Sequence, residues 1–199
     1  SGAEQQRLMP EPQARFTDVV PVGGGCAAAL YGGRFVVVDL RRARERVLYE
    51  NYLVILGNGS SVSQQLLFPE RLVLSGDEYA LMEENAVEFA ELGFDVDYLG
   101  EGAVEVKGTP ADMPADTIDE LIYELLQAFD TPRSLSDVRR EKIAQVMARS
   151  GARTLPRMDA EAAALLLGQL AECADRSYTP SGKAVMAEIT PEDIRAKLG

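Results

Sequence analysis

Asp39, Glu45 and Glu50 are the residues in this sequence whose types and spacing best suit chemistry. They lie in the run Asp39-Leu40-Arg41-Arg42-Ala43-Arg44-Glu45-Arg46-Val47-Leu48-Tyr49-Glu50, where an apolar strand passes into a helix. A strand end and the first turns of the following helix face one cleft. Three carboxylates converging there form a candidate site for a hard divalent cation, which takes oxygen ligands. The same spacing also fits a plain charged helix with i,i+4 pairs such as Arg41–Glu45. The chain has no histidine. That excludes Ser-His-Asp and Cys-His nucleophiles and the commonest zinc ligand. Cys26 and Cys173 form no C-x-x-C pair and read as buried thiols of a cytosolic, cytoplasmic protein.

Gly23-Gly24-Gly25-Cys26-Ala27-Ala28 matches the G-x-G-x-x-A pattern of nucleotide-binding crossovers. A parallel crossover needs about a dozen residues or more, usually a helix. Only Cys26 to Arg34 is available here, and Gly32-Gly33 interrupts it. The segment is expected to be a β-hairpin.

The elements that must position these residues follow from periodicity. Strands are expected over Arg15–Val22, Cys26–Tyr31 and Phe35–Asp39. Val36, Val37 and Val38 are apolar on both alternations, so this strand is expected to be covered on both faces. In a small lobe that calls for a partner surface, and the three valines are candidate dimer-interface residues. A helix from Leu40 to about Leu56 stops at Gly57-Asn58-Gly59-Ser60. An extended segment runs from Gln64 to Leu74, and Ser75 with Glu78 forms a capping box opening a helix that ends at Gly93. Short strands are expected near Phe94–Tyr98 and Val104–Lys107, then helices over about Asp116–Phe129, Leu135–Arg149 and Asp159–Cys173. An apolar run over Ala184–Ile189 precedes the helix start Thr190-Pro191-Glu192-Asp193. Strands early and helices late read as α+β.

Net charge is −12, but the sign is unevenly distributed. From Glu70 to Asp130 seventeen acidic residues face only Arg71 and Lys107, whereas six cations face two acids between Thr131 and Pro156. Such a chain is no strong autonomous DNA binder. No apolar run suits a membrane span. Ser1-Gly2 reads as a cloning scar on a fragment of something longer, and residues 1–14 as a linker or remnant.

The segment from Asp39 to Glu50 resembles the D-Q-H-A-x-x-E-x-x-x-x-E endonuclease motif of the MutL mismatch-repair family, with Asp39, Glu45 and Glu50 in register. The resemblance extends along the chain. Val62–Pro69 resembles the segment after the motif helix. Leu92-Gly93-Phe94-Asp95-Val96 with Val104–Pro110 resembles the family's "LGF…V…G-x-P" stretch. Tyr178-Thr179-Pro180-Ser181-Gly182-Lys183 is similar to the closing C-P-H-G-R-P element, and Met147-Ala148-Arg149 to A-C-R. The departures carry weight. Leu40 and Arg41 replace Gln and His, Thr179 and Ser181 replace Cys and His, and Ala148 replaces Cys. The resemblance places those lost residues in a zinc site together with the first glutamate, so only Glu45 remains as a ligand. Arg41 sets a cation where a metal would sit. The implied nuclease is lost or severely weakened, and no metal is expected. The alternative is a weak Mg²⁺- or Mn²⁺-dependent nicking activity resting on carboxylates alone.

Gln64-Gln65-Leu66-Leu67-Phe68-Pro69 fits the Q-x-x-L-F pattern by which bacterial proteins dock onto the replication sliding clamp. Gln64, Leu67, Phe68 and Pro69 are the candidate docking residues. The competing reading is an amphipathic strand whose Leu67 and Phe68 belong to the lobe's own core. The resemblance further implies a two-lobed domain with a mixed or antiparallel sheet. Residues 15–45 and 155–199 would form the dimerisation lobe and residues 46–154 an inserted outer, regulatory lobe. Partners would be a second copy of the chain, the sliding clamp and a mismatch-recognition protein. No cofactor is expected in this domain; ATP would bind a separate N-terminal domain. An unrelated acidic interaction module is the other possibility.

Overall fold

Glycines at 23–25 and 32–33, all with φ between 57° and 88°, fold the N-terminal apolar runs back on themselves. The computed structural model describes residues 13–199, so most of the expected 1–14 linker lies outside the described residues. The chain runs through β1 (Phe16–Gly23), β2 (Cys26–Tyr31), β3 (Arg34–Asp39), α1 (Leu40–Asn58), β4 (Ser63–Val73), α2 (Gly76–Glu84) and α3 (Ala86–Leu92). It continues with β5 (Asp95–Gly100), β6 (Ala103–Pro110), α4 (Ile118–Phe129), α5 (Ser136–Ala152), α6 (Ala160–Glu172), β7 (Met186–Glu188) and α7 (Pro191–Leu198). Mixed helices and antiparallel sheets make the fold α+β.

One sheet has the order β1-β2-β3-β7 and the other β4-β6-β5, and every described pairing is antiparallel. The glycine-rich segment at 23–28 is thus a hairpin turn followed by β2. Opposed residues share a face in an antiparallel pair. Ala27 opposes Val38 and Ala29 opposes Val36, and all four are buried against α1 and α6. Ala28 opposes Val37 and Leu30 opposes Phe35 on the other face.

Two hydrophobic clusters organise the molecule. The first joins the four-stranded sheet to Leu40, Ala43 and Val47 of α1 and to Ala163, Leu166, Leu167 and Leu170 of α6. The second begins at Leu48 and takes Tyr52 and Leu56 of α1 with β4, β6 and helices α2 to α5. Within it Phe89 stacks on Phe129 at 4.6 Å and meets Phe94 edge-on at 5.9 Å.

The helix expected from Ser75 to Gly93 is divided into α2 and α3 at Asn85. Its start matches the sequence: Ser75 accepts from the Glu78 N–H while the Glu78 carboxylate accepts from Ser75 N–H. At the break, buried Asn85 donates to the Leu81 carbonyl at 2.7 Å and accepts from Arg139 Nη2 at 2.7 Å. Arg139 also donates to Glu88 at 3.0 Å and lies over the Phe129 ring at 4.8 Å. A side chain bonded to the preceding turn competes with helix continuation, and the second partner comes from α5.

The β5–β6 hairpin turns at Gly102, whose φ is 80° and where an added Cβ would fall 2.5 Å from the Leu74 carbonyl oxygen. A backbone atom cannot swing aside, so Gly102→Ala should cost about 2–4 kcal/mol through overpacking and left-handed strain. Urea denaturation measures this; a loss below about 1 kcal/mol would mean the hairpin relaxes freely.

Candidate functional site at helix α1

Asp39 ends β3 and caps α1. Its Oδ1 accepts from Arg42 N–H at 3.0 Å and its Oδ2 lies 3.5 Å from the Arg42 guanidinium. Backbone bonds from Asp39 to the Val185 carbonyl and from Leu40 to the Gly25 carbonyl, each 2.9 Å, lock the junction to both neighbouring segments. A capping carboxylate has its lone pairs committed to helix N–H groups.

Glu50 is engaged differently. Its two oxygens accept from the backbone N–H groups of Ala174 at 2.8 Å and Asp175 at 3.2 Å, just beyond α6. Arg46, one turn earlier, is only 9% exposed. It contacts Glu50 at 3.8 Å and Asp175 at 3.2 Å and lies over the Tyr49 ring at 5.3 Å. Burial pushes the Asp175 carboxyl upward. The N–H groups of Ser177 and Tyr178 and the Arg46 guanidinium outweigh it and hold the group below the usual carboxylate range. The adjacent Cys173 thiol is pushed up to about 12, by burial first and by Glu50 second, which makes it a poor nucleophile. Cys173 is buried as expected, whereas Cys26 is half-exposed; both are free.

Glu45 is the carboxylate that remains uncommitted. Glu50 lies five positions further along, which places the two about 140° apart around the helix axis. It lies in a cleft between α1, α4 and α5 with Arg41, Arg149, Ser150 and Arg153. Burial raises its carboxyl above the usual range despite the opposing pull of Lys183, Arg149, Arg42 and Arg46. Asp39, Glu45 and Glu50 therefore do not converge. Among the described residues no three Asp, Glu, Cys or His side chains come together in a group able to hold a metal ion.

The closing loop Tyr178–Lys183 adds no cysteine, histidine or carboxylate. Thr179 is buried and its Oγ1 lies 3.1 Å from Ser181 Oγ and accepts from Lys183 N–H at 3.0 Å. The hydroxyls satisfy one another. Ala148 is buried within α5 and only Arg149 of that triplet reaches the surface. The side chains present do not fit a zinc ion, which takes four nitrogen, sulfur or carboxylate ligands.

On the second sheet Gln64 lies on β4 with its amide donating to Thr109 Oγ1 at 3.4 Å, the Pro110 carbonyl at 3.4 Å and the Met113 carbonyl at 3.3 Å. The ladder to β6 is interrupted between Gln65 and Glu70. Leu66 packs on the core, while Leu67 is 86% and Phe68 82% exposed, beside exposed Pro69. Of the three valines singled out for an interface, Val36 and Val38 turn into the chain's own core and only Val37 lies on the sheet's open face. Arg46 and Asp175 had not been singled out from the sequence. The i,i+4 spacing of Arg46 and Glu50 was visible, but the partner 125 residues beyond Glu50 was not.

If Glu50 ties α1 to the turn after α6, Glu50→Ala should destabilise the protein by about 1–3 kcal/mol, since charge-assisted bonds to two N–H groups and a guanidinium are lost together. Guanidinium denaturation reads the loss. A metal ligand in the same place would leave the metal-free protein's stability unchanged.

The family profile described as MutL C terminal dimerisation domain matches residues 22–155, more than half of the chain. The DNA mismatch repair protein MutL of Parabacteroides distasonis is 27% identical over 94% of this chain and 32% of its own length. That of Citrifermentans bemidjiense is 31% identical over 82% of this chain and 26% of its own length. That of Clostridium beijerinckii is 25% identical over 97% of this chain and 30% of its own length. The chain therefore spans about a third or less of the length of these relatives.

Proposed function

Because the chain belongs to the family of MutL C-terminal dimerisation domains, we propose that it is the homodimer hinge of a larger DNA mismatch-repair protein, with its nuclease site dismantled. The observation that carries this reading is the open face of the four-stranded sheet. Phe35, Val37, Ala28 and Leu30 share that face. Val20 opposes Ala28 and Ala187 opposes Val37, which widens it across all four strands. Val20 is 54% and Phe35 39% exposed. An apolar sheet face of this extent needs a cover, and a twofold-related copy offers a self-complementary one. The cluster containing this sheet would then be the dimerisation lobe, and the cluster beginning at Leu48 the outer lobe.

The loss of nuclease chemistry is supported by the residues at the motif positions. Asp39 serves as a helix cap, Glu50 as an acceptor for backbone N–H groups, and Glu45 faces arginines. A separate ATP-binding domain and a mismatch-recognition partner belong to the same proposal.

Light scattering at micromolar concentration should give about twice the chain mass of 21.6 kDa. Val37→Glu should shift it to a monomer with an unchanged far-ultraviolet spectrum, because the substituted side chain lies outside the chain's own core. A wild-type monomer would sink the hinge.

The exposed Leu67–Pro69 segment supports docking onto the replication sliding clamp through Gln64, Leu67, Phe68 and Pro69. Leu67 and Phe68 are free to enter a pocket, each contributing roughly 1.5–3 kcal/mol on burial. Ordering the segment offsets much of that, so affinity near micromolar is expected. Phe68→Ala should abolish clamp binding in surface plasmon resonance and leave the melting temperature within about 1 °C. Unchanged clamp binding in Phe68→Ala defeats the docking assignment.

A further inference from the structure

The cleft around Glu45 has about 230 Å³ of free volume, below the roughly 300–1,000 Å³ of sites that enclose whole drug-sized ligands. Its polar lining is dominated by cations. Arg41 comes from the first turn of α1, Arg149 from the last turn of α5 and Arg153 from the residue that caps its end. Arg42 and Lys183 add positive potential from beside Glu45. Against these five stand Glu45 and Glu124 on the cleft wall. Arg149 contacts Glu124 and Arg153 contacts Glu120, each at 3.5 Å and largely in solvent, so both pairs are weak and exchangeable. Among the described residues Arg41 has no carboxylate within ion-pair distance.

Two further observations point to a ligand rather than a solvated charge cluster. Ser150 lines the cleft, and its Oγ is buried with no hydrogen-bond partner. Leu121 and Ala152, both buried, form an apolar wall, and this low-polarity side strengthens any charge interaction made against it. The raised Glu45 carboxyl is consistent with that setting.

We propose that this cleft binds a single phosphate group through the guanidinium groups of Arg41 and Arg149, with Arg153 at its rim. Planar guanidinium forks match phosphate oxygens two at a time. The proposal rests on the reading that the cleft no longer fits a metal. Phosphate reaches such a site either as a free ion or as a phosphodiester of a nucleic-acid backbone. With a net charge of −12 repelling a polyanion at large, the local contact must carry the interaction.

The test uses the folded domain at constant ionic strength, with arginine side-chain Nε–H resonances followed while inorganic phosphate is added. The expected result is a saturable shift that Arg41→Ala and Arg149→Ala each weaken about tenfold and that Arg133→Ala, outside the cleft, leaves intact. Glu45→Gln should tighten binding several-fold by removing the opposing charge. A short DNA duplex forms the second arm. Displacement of phosphate with the same arginine dependence identifies the backbone phosphodiester as the source, and no displacement identifies the free ion. A non-saturating response, indifference to Arg41 and Arg149, or weaker binding in Glu45→Gln overturns the proposal. Failure of the underlying reading looks different: Mn²⁺ would broaden the same resonances in the wild type and not in Glu45→Gln.

Discussion

Helix α1 has to bury two stripes in two separate cores, and the rest of the molecule is arranged around that requirement. Leu40, Ala43 and Val47 enter the core beneath the four-stranded sheet, and Leu48, Tyr52 and Leu56 enter the other. Consecutive residues on a helix lie about 100° apart, so the handover between Val47 and Leu48 is a rotation as well as a translation. A helix apolar on two sides leaves only a narrow polar strip, and Arg41, Glu45 and Arg44 must share it. Arg44 spends its Nε on the Gly151 carbonyl at 3.1 Å, which pins α1 to α5. Close approach of the two helices there is possible because Gly151 has no side chain; an added Cβ would lie 2.7 Å from Leu48 Cδ1.

The charged residues of α1 take their roles from that packing. The N-terminal carboxylate stabilises the helix start, the C-terminal one secures the segment after α6, and the arginine between them is nearly enclosed. A buried guanidinium is tolerable only with several partners, and Arg46 has Glu50, Asp175 and the Tyr49 ring. The outer acids of the run from Asp39 to Glu50 are bound into the scaffold, and the middle one, Glu45, looks into a basic cleft.

Local rules made much of this legible. The capping box at Ser75, the helix start at Thr190-Pro191, the glycine turns and the alternation of Phe35 to Asp39 each specify an element from nearby residues alone. What could not be read was long-range. Asn85 divides a helix because Arg139, 54 residues away, completes its hydrogen bonds. Glu50 turns from its expected neighbours because the N–H groups of Ala174 and Asp175 compete for it. Alternation did show that Val37 and its neighbours face opposite ways; which side belongs to the chain's own core depended on where α6 returns. The exposure of Leu67 and Phe68 followed from a ladder interruption that composition does not reveal.

That interruption has a consequence for association. β4 is an edge strand, and an edge bearing exposed leucine and phenylalanine is an open template for a neighbouring chain to extend the sheet. The bulge throws the backbone out of register where those side chains stand, and Pro69 offers no N–H to a would-be neighbour. The segment can therefore display grease without inviting fibre growth. Since Leu67 and Phe68 contribute little to the interior, those two positions can drift in sequence while the fold beneath them stays the same.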